Sequence, residues 1–126
     1  VFEIKQRQSG DVVILDLGGQ LSVGEAEVAL RRKVGELLEG GVRAILLNLA
    51  AVDSMDSSGL GALVDAHANA EHCGVKLKLF SLTRRTEDLL ARTRLLTVFQ
   101  TFGDEQAAVA SFLRQSPGRQ ADLPRS

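Results

Sequence analysis

Seven residues, Met55-Asp56-Ser57-Ser58-Gly59-Leu60-Gly61, hold the densest chemistry in the chain. Two hydroxyls stand side by side behind a carboxylate and ahead of two glycines, and the chain then turns apolar through Ala62-Leu63-Val64. Four chemistries suit such a cluster: a helix cap, a hydrolytic nucleophile, a phosphate cradle, and an acceptor for a phosphoryl group.

Asp56 or Ser57 has the side-chain type that accepts a hydrogen bond from a free N–H in the first turn of a helix, and capping is the plainest reading. It leaves the pairing of serines and glycines unexplained. A hydrolase nucleophile calls for a G-x-S-x-G turn and a base within reach, but Met55 and Asp56 occupy the side where the first glycine belongs. The two histidines, His67 and His72, both lie at least two turns further along the same expected helix, out of reach of either serine. A nucleotide cradle needs a third glycine or a following lysine, and neither appears after Gly59-Leu60-Gly61. That leaves a hydroxyl offered to a kinase. The helix N-terminus favours the added charge, whereas Asp53 and Asp56, read as part of one loop with Ser57, oppose a group carrying roughly −1.5 to −2 charges.

The elements that position this cluster follow from periodicity. Phe2 and Ile4 alternate with polar residues, and Ser9-Gly10-Asp11 makes a turn before Val12-Val13-Ile14-Leu15, which predicts a hairpin. After Gly18-Gly19, Ala26, Leu30, Val34, Leu37 and Leu38 recur at helical spacing until Gly40-Gly41 stops the helix. Ala44 to Leu49 is a nearly continuous apolar run, the pattern of a central strand covered on both faces. The Asp53–Ser58 loop and a helix through Leu60, Leu63, Val64, His67 and Glu71 follow, until Cys73-Gly74. Val75, Leu77 and Leu79 alternate with Lys76 and Lys78 as a strand. Arg85 to Arg92 read as a helix with Leu89 and Leu90 inward, Val98-Phe99 as a short strand, and Glu105 to Leu113 as a last helix burying Ala108, Val109 and Phe112.

The order ββαβαβαβα predicts an α/β fold: one domain over residues 1–114, with a mixed sheet covered by about four helices. The tail 115–126 holds both prolines and reads as disordered. Loops at the carboxyl ends of strands are where such sheets bind ligands, and the serine cluster sits on one.

With 126 residues, 25% charged and a net charge of −1, the chain has no basic field for a nucleic acid or an anionic membrane. Its single cysteine, Cys73, excludes an internal disulfide and fits a reducing cytoplasm, and no segment approaches the length of a membrane span. Cys73 itself reads as a small buried residue. The histidines, five apart and so about 140° around a helix, do not form a metal-binding pair and read as boundary or surface residues. No metal, cofactor or catalytic residue is expected. Thr83-Arg84-Arg85-Thr86 is a solvated first turn or a contact patch for an acidic partner.

At Met55-Asp56-Ser57-Ser58-Gly59-Leu60-Gly61, set between a strand and a helix within this element order, the sequence resembles the STAS domain family, in particular the bacterial anti-sigma factor antagonists. The resemblance implies that Ser57 is a phosphoacceptor. It implies that the unphosphorylated protein binds an anti-sigma factor with serine kinase activity, so freeing a sigma factor. Phosphorylation then ends the binding, and a PP2C-type phosphatase restores it. Asp56, Ser58 and Gly59, with Gln20 and Ser22 of the neighbouring loop, would face the partner. The chain would be a cytoplasmic regulator, monomer or weak dimer, and not an enzyme. Two departures stand out. Where many members carry an acidic residue after the second strand, this chain reads Gly19-Gln20-Leu21-Ser22, which keeps open an unphosphorylated scaffold role in a stress-signalling assembly or beside a transporter. Where the family often has glycine, Arg94 precedes Leu95. Either arginine adopts a left-handed conformation there, at roughly 1–2 kcal/mol, or the third helix ends differently.

Overall fold

The computed structural model describes residues 1–114; the tail expected to be disordered lies outside the described residues. The elements are β1 (Phe2–Ser9), β2 (Val12–Leu21), α1 (Glu25–Glu39), β3 (Ala44–Met55), α2 (Ser57–His72), β4 (Lys76–Phe80), α3 (Arg84–Arg92), β5 (Thr101–Phe102) and α4 (Glu105–Arg114). The strands lie in chain order β1-β2-β3-β4-β5, the first pair antiparallel and the others parallel. This is the mixed α/β sheet expected from the sequence.

Strand alternation divides the core between two faces. Val13, Leu15 and Leu17 of β2, Ile45, Leu47 and Leu49 of β3, and Leu77 and Leu79 of β4 pack against Ala26, Leu30 and Val34 of α1, Leu60, Leu63 and Ala66 of α2, and Leu90 of α3. On the other face Val12, Ile14, Ala44, Leu46 and Phe80 meet Ala108 of α4, with Val109 and Phe112 half-buried beside it. The central run is continuous because both of its faces are covered. Lys78, whose alternation suggests an outward side chain, is buried at 1% exposure under α4, where its Nζ donates to Ser111 Oγ at 2.9 Å and lies 4.4 Å from the Phe112 ring centre.

Three helices end in the same way. After α1 the N–H groups of Gly41 and Val42 reach back to the Leu38 and Leu37 carbonyls; after α2 those of Gly74 and Val75 reach Glu71 and Ala70. After α3 those of Arg94 and Leu95 reach Ala91 and Leu90, so each helix closes in a Schellman turn. The turn needs a left-handed residue, and Gly41 (φ 83°), Gly74 (φ 75°) and Arg94 (φ 64°) supply it. The third helix is therefore built like the others, with arginine carrying the strain.

Three local expectations need correction. β2 and β3 run on to Leu21 and Met55, because Gly18 and Gly19 pair with Ala51 and Val52, and Gln20 and Leu21 with Ser54 and Met55. Register shifts between Asp16 and Gly18 and between Gly19 and Gln20 break the two-residue period by which a strand is recognised. Val98-Phe99 is not a strand. Phe99 is buried in the main core and its ring meets His67 edge-on at 5.1 Å, while β5 forms two residues later. Cys73 is exposed at the C-cap of α2 rather than buried.

Candidate functional site

Extension of β3 changes the setting of the serines. Asp53, Ser54 and Met55 belong to the strand, Asp56 alone makes the connection, and α2 begins at Ser57. The loop expected over Asp53–Ser58 is thus one residue long, and Asp56, not Ser57, is the N-cap.

Asp56 uses both carboxylate oxygens. Oδ1 accepts from the Gly59 N–H at 2.9 Å, capping α2, and Oδ2 accepts from the Val23 N–H at 3.0 Å, in the turn between β2 and α1. Its own N–H donates to the Leu21 carbonyl at 3.3 Å. The Gly59 N–H first, and the Val23 N–H second, hold the Asp56 carboxyl below the usual carboxylate range, so it is ionised at neutral pH.

Gly59 is required by close approach. A Cβ there would run into the carbonyl oxygen of Leu21 and stand 2.9 Å from Leu21 Cγ, so α2 packs against the end of β2 only because position 59 has no side chain. Gly61 has no such constraint, its nearest neighbour being Arg31 Nη2 at 3.9 Å. Of the two glycines, only the first is needed for the packing of helix against sheet.

Ser57 is exposed as the first residue of α2, Ser58 is half-buried, and Gly59 is buried. Gln20 is exposed opposite Ser54, and Ser22 is half-buried with its carbonyl accepting from Glu27 N–H at 3.3 Å. All six residues singled out in the sequence thus gather at the carboxyl ends of β2 and β3. Val23 is the residue that sequence reasoning missed. It is 67% exposed and bonded to Asp56, and an unpartnered valine inside a glycine-bounded turn was the available signal. Of the basic cluster, Thr83 caps α3, Thr86 is buried, and Arg85 Nη1 donates to the Asp53 carbonyl at 3.4 Å, which brings α3 against the same end of β3.

His67 lies ten residues beyond Ser57 on one helix, about 15 Å along its axis, so it cannot serve as a base for that hydroxyl. It sits at the boundary with Nε2 3.9 Å from Glu71, and His72 is exposed. Among the described residues no group of three His, Cys, Asp or Glu side chains is placed to hold a metal ion, and no helix is long and apolar enough to cross a membrane. The arrangement offers a surface hydroxyl at a helix N-terminus, backed by a carboxylate already committed to two N–H donors.

Comparison with known proteins identifies the family and the fold. The chain matches the STAS domain model over residues 3–108. It is 31% identical over 97 residues to the TM1081 homologue of Thermotoga neapolitana, covering 75% of this chain and 86% of the relative. It is 29% identical over 103 residues to the anti-sigma-F factor antagonist RsfB of Mycobacterium tuberculosis, covering 78% and 81%. The crystal structure of TM1081 from Thermotoga maritima superposes with a TM-score of 0.80 at 27% identity, over 86% of this chain and 92% of that one. A family match spanning most of the chain, with a relative 31% identical over three quarters of it, makes this protein a member of the STAS domain family.

Proposed function

We propose that the protein is an anti-sigma factor antagonist whose binding is switched at Ser57. In this reading the surface of Ser57, Asp56, Ser58, Gly59, Gln20 and Ser22 docks an anti-sigma factor with serine kinase activity while Ser57 is unmodified. The kinase's transfer of a phosphoryl group to the Ser57 hydroxyl ends the docking, and a PP2C-type phosphatase restores it. The sigma factor is free while the antagonist holds its inhibitor. The chain acts by binding and is not an enzyme.

The observation that carries the reading is the exposure of Ser57 on the first turn of α2 directly beside the ionised Asp56. The helix N-terminus accommodates a phosphate without unfolding, while the new charge next to a fixed carboxylate makes the surface unfit for a partner matched to the neutral hydroxyl. Moving the docked fraction from 99% to 1% needs about 5.5 kcal/mol of differential affinity, within the reach of a doubly charged group desolvated in an interface. The name of RsfB supports the class of partner.

Site-localising mass spectrometry after incubation with MgATP and host lysate, beside Ser57→Ala, tests the switch. Phosphate on Ser57 that disappears in the variant is the expected result. An unmodified Ser57 in a lysate that phosphorylates its other substrates defeats it. The second reading is an unphosphorylated scaffold domain. Ser22, standing where many members are acidic, favours it, and the same null result would select it.

A further inference from the structure

We propose that the outer edge of β1 is a self-complementary surface through which two copies of this chain pair their sheets about a twofold axis at Ile4. β1 is eight residues long and borders the sheet, whereas the opposite border, β5, has two. The Val1 carbonyl accepts from the Gln20 N–H, which fixes the phase of the antiparallel ladder. Odd residues of β1 turn their main-chain groups to β2, and Phe2, Ile4, Gln6 and Gln8 turn theirs away from it.

Only some twofold registers put outward-facing groups together, and the charges choose among them. Centring on Ile4 places Ile4 against the second copy's Ile4 and Phe2 against its Gln6, all residues whose N–H and C=O groups point outward. On the other face, Glu3 then stands opposite the second copy's Lys5, and Lys5 opposite its Glu3. Centring on Glu3 or Lys5 brings identical charges together on the axis, and centring on Gln6 sets Lys5 against Arg7. Charges on an edge strand commonly prevent pairing, but the order Glu3, Ile4, Lys5 is its own complement in the antiparallel sense.

Apolar surface agrees with this register. Phe2 and Ile4 are half-buried against α1 and, with Ala29, Arg32, Lys33 and Glu36, line an open groove of about 300 Å³ along the edge. The twofold lays the second copy's Ile4 and Phe2 across that groove, burying in both copies the apolar side chains that one copy covers in part. Such an interface is isologous and closes at two copies.

Sedimentation equilibrium from micromolar to millimolar concentration tests the pairing. The expected result is a reversible dimer that weakens with added salt. Glu3→Lys puts like charges opposite each other twice and is expected to raise the dissociation constant about tenfold or more. Glu3 faces Gly18 across the ladder, so the fold is spared. The double variant Glu3→Lys with Lys5→Glu re-creates opposite charges at both places and is expected to recover most of the loss. Ile4→Pro removes an outward N–H together with an apolar side chain half-buried against α1, and is expected to abolish the dimer while circular dichroism keeps the native sheet and helix signal. A chain monomeric at millimolar concentration overturns the proposal, as does a dimer indifferent to both Glu3→Lys and Ile4→Pro. None of these measurements involves Ser57, so the pairing and the switch stand or fall separately.

Discussion

Asp56 joins two elements with one side chain. Replacing it by alanine removes the α2 cap and frees the turn at Val23, and the expected result is a lower urea midpoint with faster hydrogen exchange at the Val23 and Gly59 amides. Asn keeps one good acceptor and is expected to protect only one of the two amides. At Gly59 any side chain meets the Leu21 backbone; Gly59→Ala is expected to cost about 2 kcal/mol in chemical unfolding, since neither the helix nor the strand end can give way freely. At Ser57 the fold is indifferent: Ser57→Ala should keep partner binding and lose phosphorylation. Ser57→Asp should weaken binding only in part, because a carboxylate has less charge and fewer acceptor oxygens than a phosphate. A folded Ser57→Ala protein that no longer binds the partner would refute the switch. The position of the serines was legible because a carboxylate, two hydroxyls and two glycines after an apolar run admit few structures. The bond from Asp56 to Val23 was not, since it spans 33 residues and depends on a register shift that no local pattern reveals.

Helices were read more accurately than strands, for a physical reason. The stripe Ala26, Leu30, Val34 and the glycine stops at Gly40-Gly41 and Gly74 repeat over several turns, so each helix announces its face and its end. A two-residue strand such as Thr101–Phe102 has no period to detect, and the more apolar Val98-Phe99 drew the assignment instead. Lys78 was read onto a polar face because alternation reports which residues share a side, not whether a later helix covers it. The recurring Schellman turn yields a direct test. Arg94 holds the left-handed position that glycine holds after α1 and α2, so Arg94→Gly is expected to stabilise the protein by about 1 kcal/mol, seen as a higher melting temperature.

Across the molecule, one ionic cluster links the first strand to the last helix. Arg7 Nε and Nη2 donate to the Asp16 carboxylate at 2.6 and 2.9 Å, Nη2 also reaches Glu105 at 2.9 Å, and Asn48 Nδ2 donates to Asp16 at 2.9 Å. The Arg7 guanidinium is the chief reason the Asp16 carboxyl lies below its usual range, against a smaller opposing effect of burial. A depressed carboxylate contributes stability that is complete above its ordinary pKa and is lost as pH falls through the folded value. Unfolding free energy should therefore decline as pH falls below the ordinary carboxylate range in the native sequence. Arg7→Gln should lose about 1 kcal/mol at neutral pH, a modest figure because the pair is partly exposed, and show a shallower decline in acid.

Strand order and chain order coincide in this sheet, and that bears on how the protein is made. As the chain leaves the ribosome, each new strand finds its neighbour already present and never has to be inserted between two others. β1 and β2 close on each other first, and β3, β4 and β5 can then be added outward in turn, each after the helix that precedes it. The reach from Arg7 to Glu105, 98 residues apart, closes only when the last helix has been synthesised. Birth order and spatial order agree, so the serine-bearing end of β3 can be assembled before synthesis is complete, and α4 acts as the latch that follows.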